Sequence, residues 1–386
     1  KDFTEAIMAE NKFDIKKILK DNTMLLVLVG VMLLFQVLIL VTGHGSLFAP
    51  ANITNIIRQN SYVVILATGM LLCILTGGNI DLSVGSVVAL VGAIAGVLIV
   101  NLGLPIWISI FICLFVGTLI GAFHGFFIAY IHIPPFITTL AGMLLWRGVA
   151  TIVLDGRPIS PFPEKYLKLF ESFIPGNEDS NVFLLTMILA AVCCLVYIFA
   201  EIYSRANKKA RGYNVSGKGQ FVAKLVILSA IILLIGQFLA RDRGVPVVLI
   251  LLFVVIAIYS YFTKNTVPGR YLYAIGGNEK AAKLSGVNTD NVMFFAYTNM
   301  GFLSAVAALV CVARLNSAQP TAGNSYEMDA IASCFIGGAS AYGGTGTVTG
   351  AVIGAIFMGV LNNGMSILGI DQNWQRAVKG LVLLAA

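Results

Sequence analysis

The feature that most constrains this chain is a series of long apolar runs, the first of which, MLLVLVGVMLLFQVLILVT (24–42), carries no charged residue. A bilayer core about 30 Å thick needs roughly 20 apolar residues per crossing helix. Further runs follow at approximately 60–77, 83–101, 106–131, 136–154, 182–203, 221–240, 246–262, 291–313, 329–343, 347–368 and from 374 onward, twelve in all with two of them short. Composition agrees: 58% of the 386 residues are hydrophobic and 11% charged, where a soluble domain carries about a quarter charged. A soluble enzyme or nucleic-acid binder is excluded, and 24 Phe with 13 Tyr exclude a disordered chain. The expected fold is all-α: a polytopic transmembrane helical bundle of about 10–12 spans, some of them discontinuous. A single transmembrane domain over 24–386 follows a polar, amphipathic segment over 1–23, which has no small-residue cleavage site and reads as a cytoplasmic lead-in.

Threading the chain from a cytoplasmic N-terminus places 1–23, 205–220 and 263–290 on one side with 14 Lys or Arg, and 43–59, 155–181, 241–245 and 314–328 on the other with 7. Basic loops stay inside, so both termini are expected to be cytoplasmic, and the net charge of +7 is read as this bias. Loop 155–181, rich in Pro and acids, is either a meeting point for an external partner or a solvated connector. The last run, from Trp374 to Ala386, is too short to cross at about 1.5 Å per residue. With Lys1 in place of an initiator Met, the natural chain is expected to continue at both ends.

The apolar pattern breaks at ILTGGNIDLSVGS (74–86), where glycines, Asn79 and Asp81 sit between apolar runs with no long loop to hold them. Irregular backbone at membrane depth survives only inside protein or along a wet cavity. An Asp at mid-membrane costs roughly 2.5–3.5 kcal/mol on insertion scales, so two readings stand: Asp81 faces a solute path, or it caps the helix beginning near Ser83. CFIGGASAYGGTGTVTGAVIGAIFMGVLNNG (334–364) repeats the pattern in the same orientation, which suggests a weak internal parallel repeat. Its spaced glycines serve either that path or close helix packing; Asn362 and Asn363 are the better pore candidates. Arg147 pairs most obviously with Asp155, two turns away, and His124 is read as a satisfied core imidazole with no chemistry assigned.

On the cytoplasmic side, GRYLYAIGGNEKAAKLSGV (269–287) offers a short helix after Gly276-Gly277-Asn278. Glu279 stands near its N-terminus, where the helix dipole favours an acid, and Gly286 ends it. A 28-residue connector with a helix of its own suggests that something docks there. GYNVSGKG (212–219) imitates a phosphate loop but lacks the final Ser or Thr and a preceding strand. The six Cys lie in apolar runs without metal-ligand spacing, and Asn52-Ile53-Thr54 is an accidental glycosylation sequon.

GGNIDLSVGS (77–86), PPFITTLAGMLLWRG (134–148), YAIGGNEKAAKLSGV (273–287) and EMDAIASCFIGGASAYGGTGTVTGAVIGA (327–355) together resemble the permease subunits of bacterial monosaccharide ABC importers, over nearly the whole chain. RGVPVVLILL (243–252) and the added pair of spans around it look most like the xylose and multiple-monosaccharide branch. The resemblance implies a homodimeric, non-enzymatic permease in the bacterial inner membrane, served by a periplasmic sugar-binding protein and by a cytoplasmic ATPase with two fused nucleotide-binding modules. ATP and Mg would be bound by that partner, leaving no cofactor here and no nucleic acid among the partners. It also implies a coupling helix over 279–286, with Glu279, Ala281, Ala282 and Gly286 seated in the ATPase. Asn79 departs from the Glu or Thr common in related sequences. The substrate path is expected along Asn79, Asp81, Ser83, Asn362 and Asn363. A permease for another small solute, such as a branched-chain amino acid, and an ATP-independent facilitator are the competing expectations.

Overall fold

The computed structural model describes residues 23–175, 182–212 and 217–385. The expected amphipathic segment 1–23 lies outside them except for Thr23, as do the last residues of loop 155–181 and the middle of GYNVSGKG. The described chain is helical almost throughout, with α1 (Thr23–Val41), α2 (Pro50–Leu75), α3 (Val84–Gly96, continued by a wide turn Val97–Asn101), α4 (Ile106–Ala129), α5 (Pro135–Val153) and α6 (Glu164–Glu171). After a two-residue strand β1 (Phe173–Ile174) come α7 (Val182–Ala210), α8 (Lys218–Ala240) and β2 (Val245–Pro246). The remaining helices are α9 (Val247–Asn265), α10 (Val267–Leu284), α11 (Thr289–Leu315), α12 (Tyr326–Ile336), α13 (Val348–Ile367) and α14 (Gln372–Ala385). Among the described residues ten helices are long and apolar enough to cross a membrane. The two short runs of the sequence become α12, of 11 residues, and α14, of 14. The run 329–343 stops early because Gly337 and Gly338, the latter at φ 85°, end the helix although apolar residues continue.

The chain divides into two compact units. One comprises the described parts of Lys1–Val27, Phe48–Thr54 and Phe173–Pro246. Its body is the hairpin of α7 and α8, closed where Gly236 lets α8 lie directly on Ala190. Lys224 pairs with Glu201 at 2.7 Å and the Arg205 guanidinium lies 4.3 Å from the Phe221 ring centre. β1 and β2 pair antiparallel, Phe173 opposite Pro246 and Ile174 opposite Val245.

The other unit, Leu28–Leu47, Asn55–Ser172 and Val247–Ala386, holds the main core. In lipid, helices associate through close packing and not through apolar burial, so small residues mark the contacts. Gly117 and Gly121, one turn apart on α4, meet Gly301 and Ala305 on α11 so closely that a Cβ at Gly121 would overlap the Tyr297 carbonyl oxygen. α12 and α13 meet in the same way, Gly337 against Gly350 and Gly354 against the Ser333 carbonyl. Loop 155–172 is a folded cover over the end of α11. The Tyr166 ring is fully buried and its hydroxyl donates to the Leu309 carbonyl at 2.8 Å, the Phe162 amide donates to Asn316 Oδ1 at 2.8 Å, and Glu171 pairs with Arg58.

Candidate functional site

The expected break between α2 and α3 is present, spanning Thr76–Ser83. Within it Asp81 is 2% exposed, and its Oδ1 accepts from the Ser83 amide at 2.8 Å and from Ser83 Oγ at 2.6 Å. Ser83 Oγ in turn lies 3.3 Å from His124 Nδ1, and Trp146 Nε1 donates to His124 Nε2 at 2.9 Å. A neutral imidazole that accepts at Nε2 carries its proton at Nδ1. The donors therefore run in one direction, from Trp146 through His124 and Ser83 to Asp81. The sequence reading of His124 as a satisfied core imidazole holds, both ring nitrogens being partnered, and Gly142 faces the ring and makes room for it.

Asn79 points elsewhere, its amide within 3.2 Å of the Thr76 carbonyl and 3.9 Å of Met293 Sδ. Asn362 lies in a different network. It lies beside Asp329 of α12, whose carboxylate takes Lys379 of α14 at 2.8 Å and the Tyr62 hydroxyl at 3.3 Å. Asn363, one residue on, is 3% exposed. The structure thus brings Asp81 and Ser83 together and places Asn362 on the Asp329 cluster. Asp329 and Lys379 were missed, although the acids of EMDA opening an apolar helix were visible. Arg147 is corrected: it does not pair with Asp155 but donates to the carbonyls of Pro320, at 3.1 Å, and Ala322, because the chain ahead of α12 folds back against α5 and offers it unpaired carbonyls.

The segment expected to dock a partner is a helix of its own. Asn278 is extended (φ −165°, ψ 101°), which separates Val267–Gly277 from a final stretch ending at Leu284. Asn278 Oδ1 accepts the Ala281 amide at 2.9 Å, a cap for that second helix. Gly286, at φ 87°, closes it as Val287 donates back to the Ala282 carbonyl at 3.1 Å. Glu279, Ala281 and Gly286 are exposed and Leu284 is 90% exposed, whereas Ala282 packs inward on Ile275 and Val287.

Three pairs of glycines join the stretch leading into this helix to the two broken spans. The Gly344 amide donates to the Leu75 carbonyl at 3.1 Å, and a Cβ at Gly276 would overlap both groups. Likewise a Cβ at Gly78 would overlap the Ala341 carbonyl, and one at Gly343 would meet the backbone of Gly77 at 2.5 Å. Gly77, Gly78, Gly343 and Gly344 all have positive φ, so backbones approach where side chains could not follow. Tyr273 adds a side-chain tie, its hydroxyl donating to the Gly346 carbonyl at 3.0 Å, and burial pushes its phenol above the usual range and keeps it a donor.

The family model described as "Branched-chain amino acid transport system / permease component" matches residues 52–386. The chain is 36% identical over 366 residues to the xylose transport system permease protein XylH of Escherichia coli (strain K12), covering 95% of this chain and 91% of that one. It is 34% identical over 363 residues to XylH of Haemophilus influenzae, covering 94% of each. It is also 36% identical over 343 residues to the ribose import permease protein RbsC of Haemophilus influenzae, covering 89% of this chain and 86% of that one. No solved structure matches. With broken spans, a separate exposed helix and these relatives along most of its length, the chain belongs to the permease components of ABC transport systems, in the xylose and ribose branch of that family.

Proposed function

We propose that this chain is the membrane-spanning subunit of an ABC importer that carries a monosaccharide, delivered by a periplasmic binding protein, across the bacterial inner membrane with both termini in the cytoplasm. Two copies form the assembly, and a separate ATPase with two fused nucleotide-binding modules binds ATP and Mg. The exposed helix around Glu279, Ala281 and Gly286 is the coupling element, with Ala282 fixing it to the permease from within. Movement of that helix passes through Gly276 to Leu75–Gly78 and to Gly343–Gly346, which shifts the broken spans carrying Asn79, Asp81, Ser83, Asn362 and Asn363 between inward- and outward-open populations.

The observation that carries this reading is the interlock of the three glycine turns, which puts the stretch leading into the coupling helix in direct backbone contact with both broken spans. Sugar as the cargo is supported by the xylose and ribose relatives, taken over the amino-acid description of the family model. ATP hydrolysis in liposomes tests it, with the permease, its candidate ATPase and sugar-loaded binding protein. Loaded binding protein stimulates hydrolysis in the wild type and fails to do so in Glu279→Arg. Sugar crossing with no ATPase present would make the chain a facilitator and end the coupling account.

A further inference from the structure

Charge is spread unevenly over the basic segments of this chain. Residues 1–23 hold five Lys and five Asp or Glu, and 263–290 holds four Lys or Arg and two acids, whereas 202–224 holds six Lys or Arg and no acid. Lys and Arg alone set the side of a loop, and acids count for little, so topology does not demand a segment swept clean of acids. The six basic residues lie at the end of the hairpin where α7 gives way to α8.

Helix length sets the height of that end in a bilayer. At 29 residues, α7 is about 44 Å long at roughly 1.5 Å per residue, against a core about 30 Å thick, so about two to three turns stand beyond the hydrocarbon. Its apolar run ends at Tyr203, and Ser204, Arg205, Asn207, Lys208 and Lys209 follow; these are the turns that reach the headgroups. Phe199 and Tyr203, exposed and stacked with ring centres 6.4 Å apart, stand at the boundary where aromatic rings collect. Glu201, Arg205 and Lys208 recur at helical spacing, and the first two meet α8: Glu201 takes Lys224 at 2.7 Å, and Arg205 lies over the Phe221 ring. The one acid of α7 is thus spent on Lys224. Lys208, Lys209 and Arg211 are exposed, and no acid among the described residues pairs with them.

We propose that this end of the α7–α8 hairpin is a binding site for the headgroup of an anionic phospholipid, its phosphate taken by Lys208, Lys209 and Arg211 beside the Arg205 guanidinium that Phe221 holds in place. Clusters of roughly four to eight Lys or Arg just outside a span recognise anionic headgroups. These side chains only donate, and a phosphate supplies acceptor oxygens and the opposite charge. A lipid is favoured over a soluble phosphate because the cluster stands at headgroup height, one turn beyond exposed rings that lie against acyl chains. The site is independent of the solute that the permease carries.

Native mass spectrometry on the full-length protein tests it, with the protein released from detergent micelles after titration with phosphatidylglycerol or phosphatidylcholine. The wild type retains phosphatidylglycerol in preference to phosphatidylcholine. Lys208→Gln, Lys209→Gln and Arg211→Gln combined, at exposed positions where folding is not at stake, weaken the tightest phosphatidylglycerol site about a hundredfold, each charge near a surface contributing a factor of about five. Lys208→Arg with Lys209→Arg keeps that site. No preference in the wild type, undiminished binding in the Gln variant, or loss of binding in the Arg variant overturns the proposal. Displacement of the lipid by an equal concentration of glycerol 1-phosphate overturns it too, because the site would then belong to a soluble phosphate ester.

Discussion

At Gly142 the chain leaves no room for a methyl group, because a Cβ there would overlap the His124 imidazole. The ring cannot retreat without losing Trp146 on one nitrogen or Ser83 on the other. Gly142→Ala is therefore expected to destabilise the protein by about 1–3 kcal/mol, the usual cost of overpacking, read as a lowered thermal midpoint in detergent; an unchanged midpoint would show that the ring is not held as described. Asp81 closes the same chain of donors. Replacing it with Ala strips the Ser83 amide and hydroxyl of their acceptor, while Asn keeps one. Sugar uptake by the reconstituted importer should fall sharply in Asp81→Ala and far less in Asp81→Asn, with assembly of the permease intact in both. Normal uptake in Asp81→Ala would separate this network from transport.

Helix α12 shows what an element can and cannot reveal in advance. It is short, begins with Glu327 and Asp329, and is tied to α14 by Lys379 and to α2 by the Tyr62 hydroxyl. Removing one partner of a buried pair leaves an uncompensated charge and costs about 3–5 kcal/mol, while replacing both is far milder. Lys379→Met should accordingly lower the thermal midpoint strongly, and adding Asp329→Asn should recover most of the loss; no recovery would mean that Lys379 acts through something other than Asp329. The spans themselves were legible, because twenty apolar residues in a row admit little else. So was the helix at 279–284, since Gly286 and the acid at its start mark its ends. The end of α12 was not, because hydropathy runs on past Gly337 and only the backbone turn stops it. Nor was the interlock of Gly77–Gly78, Gly276–Gly277 and Gly343–Gly344: each pair was visible as a break, but their mutual contact depends on helices far apart in sequence. Gly344→Ala tests that contact, since the added methyl would meet the backbone of Gly277. Basal ATP hydrolysis should persist while its stimulation by loaded binding protein and sugar uptake both collapse, and coupled transport at the wild-type rate would count against transmission through this junction.

Across the whole molecule, the spans sort by how much of each lies inside the protein. The windows of α2, α3, α11 and α13 are 61–78% buried, against 11–28% for the other six. The broken spans are thus among the inner ones, where irregular backbone is shielded from lipid. Their glycine turns and the exposed helix at Leu284 are joined by direct contact at one end, whereas Tyr166 packs on Leu309, near the opposite end of α11. Orientation is then a single prediction from the basic-inside bias: the end bearing Leu284, in the basic segment 263–290, is expected to face the cytoplasm. Cysteine labelling checks it. Among the described residues Cys193 is the one exposed native thiol, so Cys193→Ser supplies a quiet background. A membrane-impermeant thiol reagent should modify Lys165→Cys in intact spheroplasts and Leu284→Cys and Tyr342→Cys in inverted vesicles, with Leu284 at 90% and Tyr342 at 89% exposure offering unobstructed targets. The reverse pattern would put the exposed helix outside the cell, where no ATP is available to drive it, and the import mechanism built on that helix would fall with it.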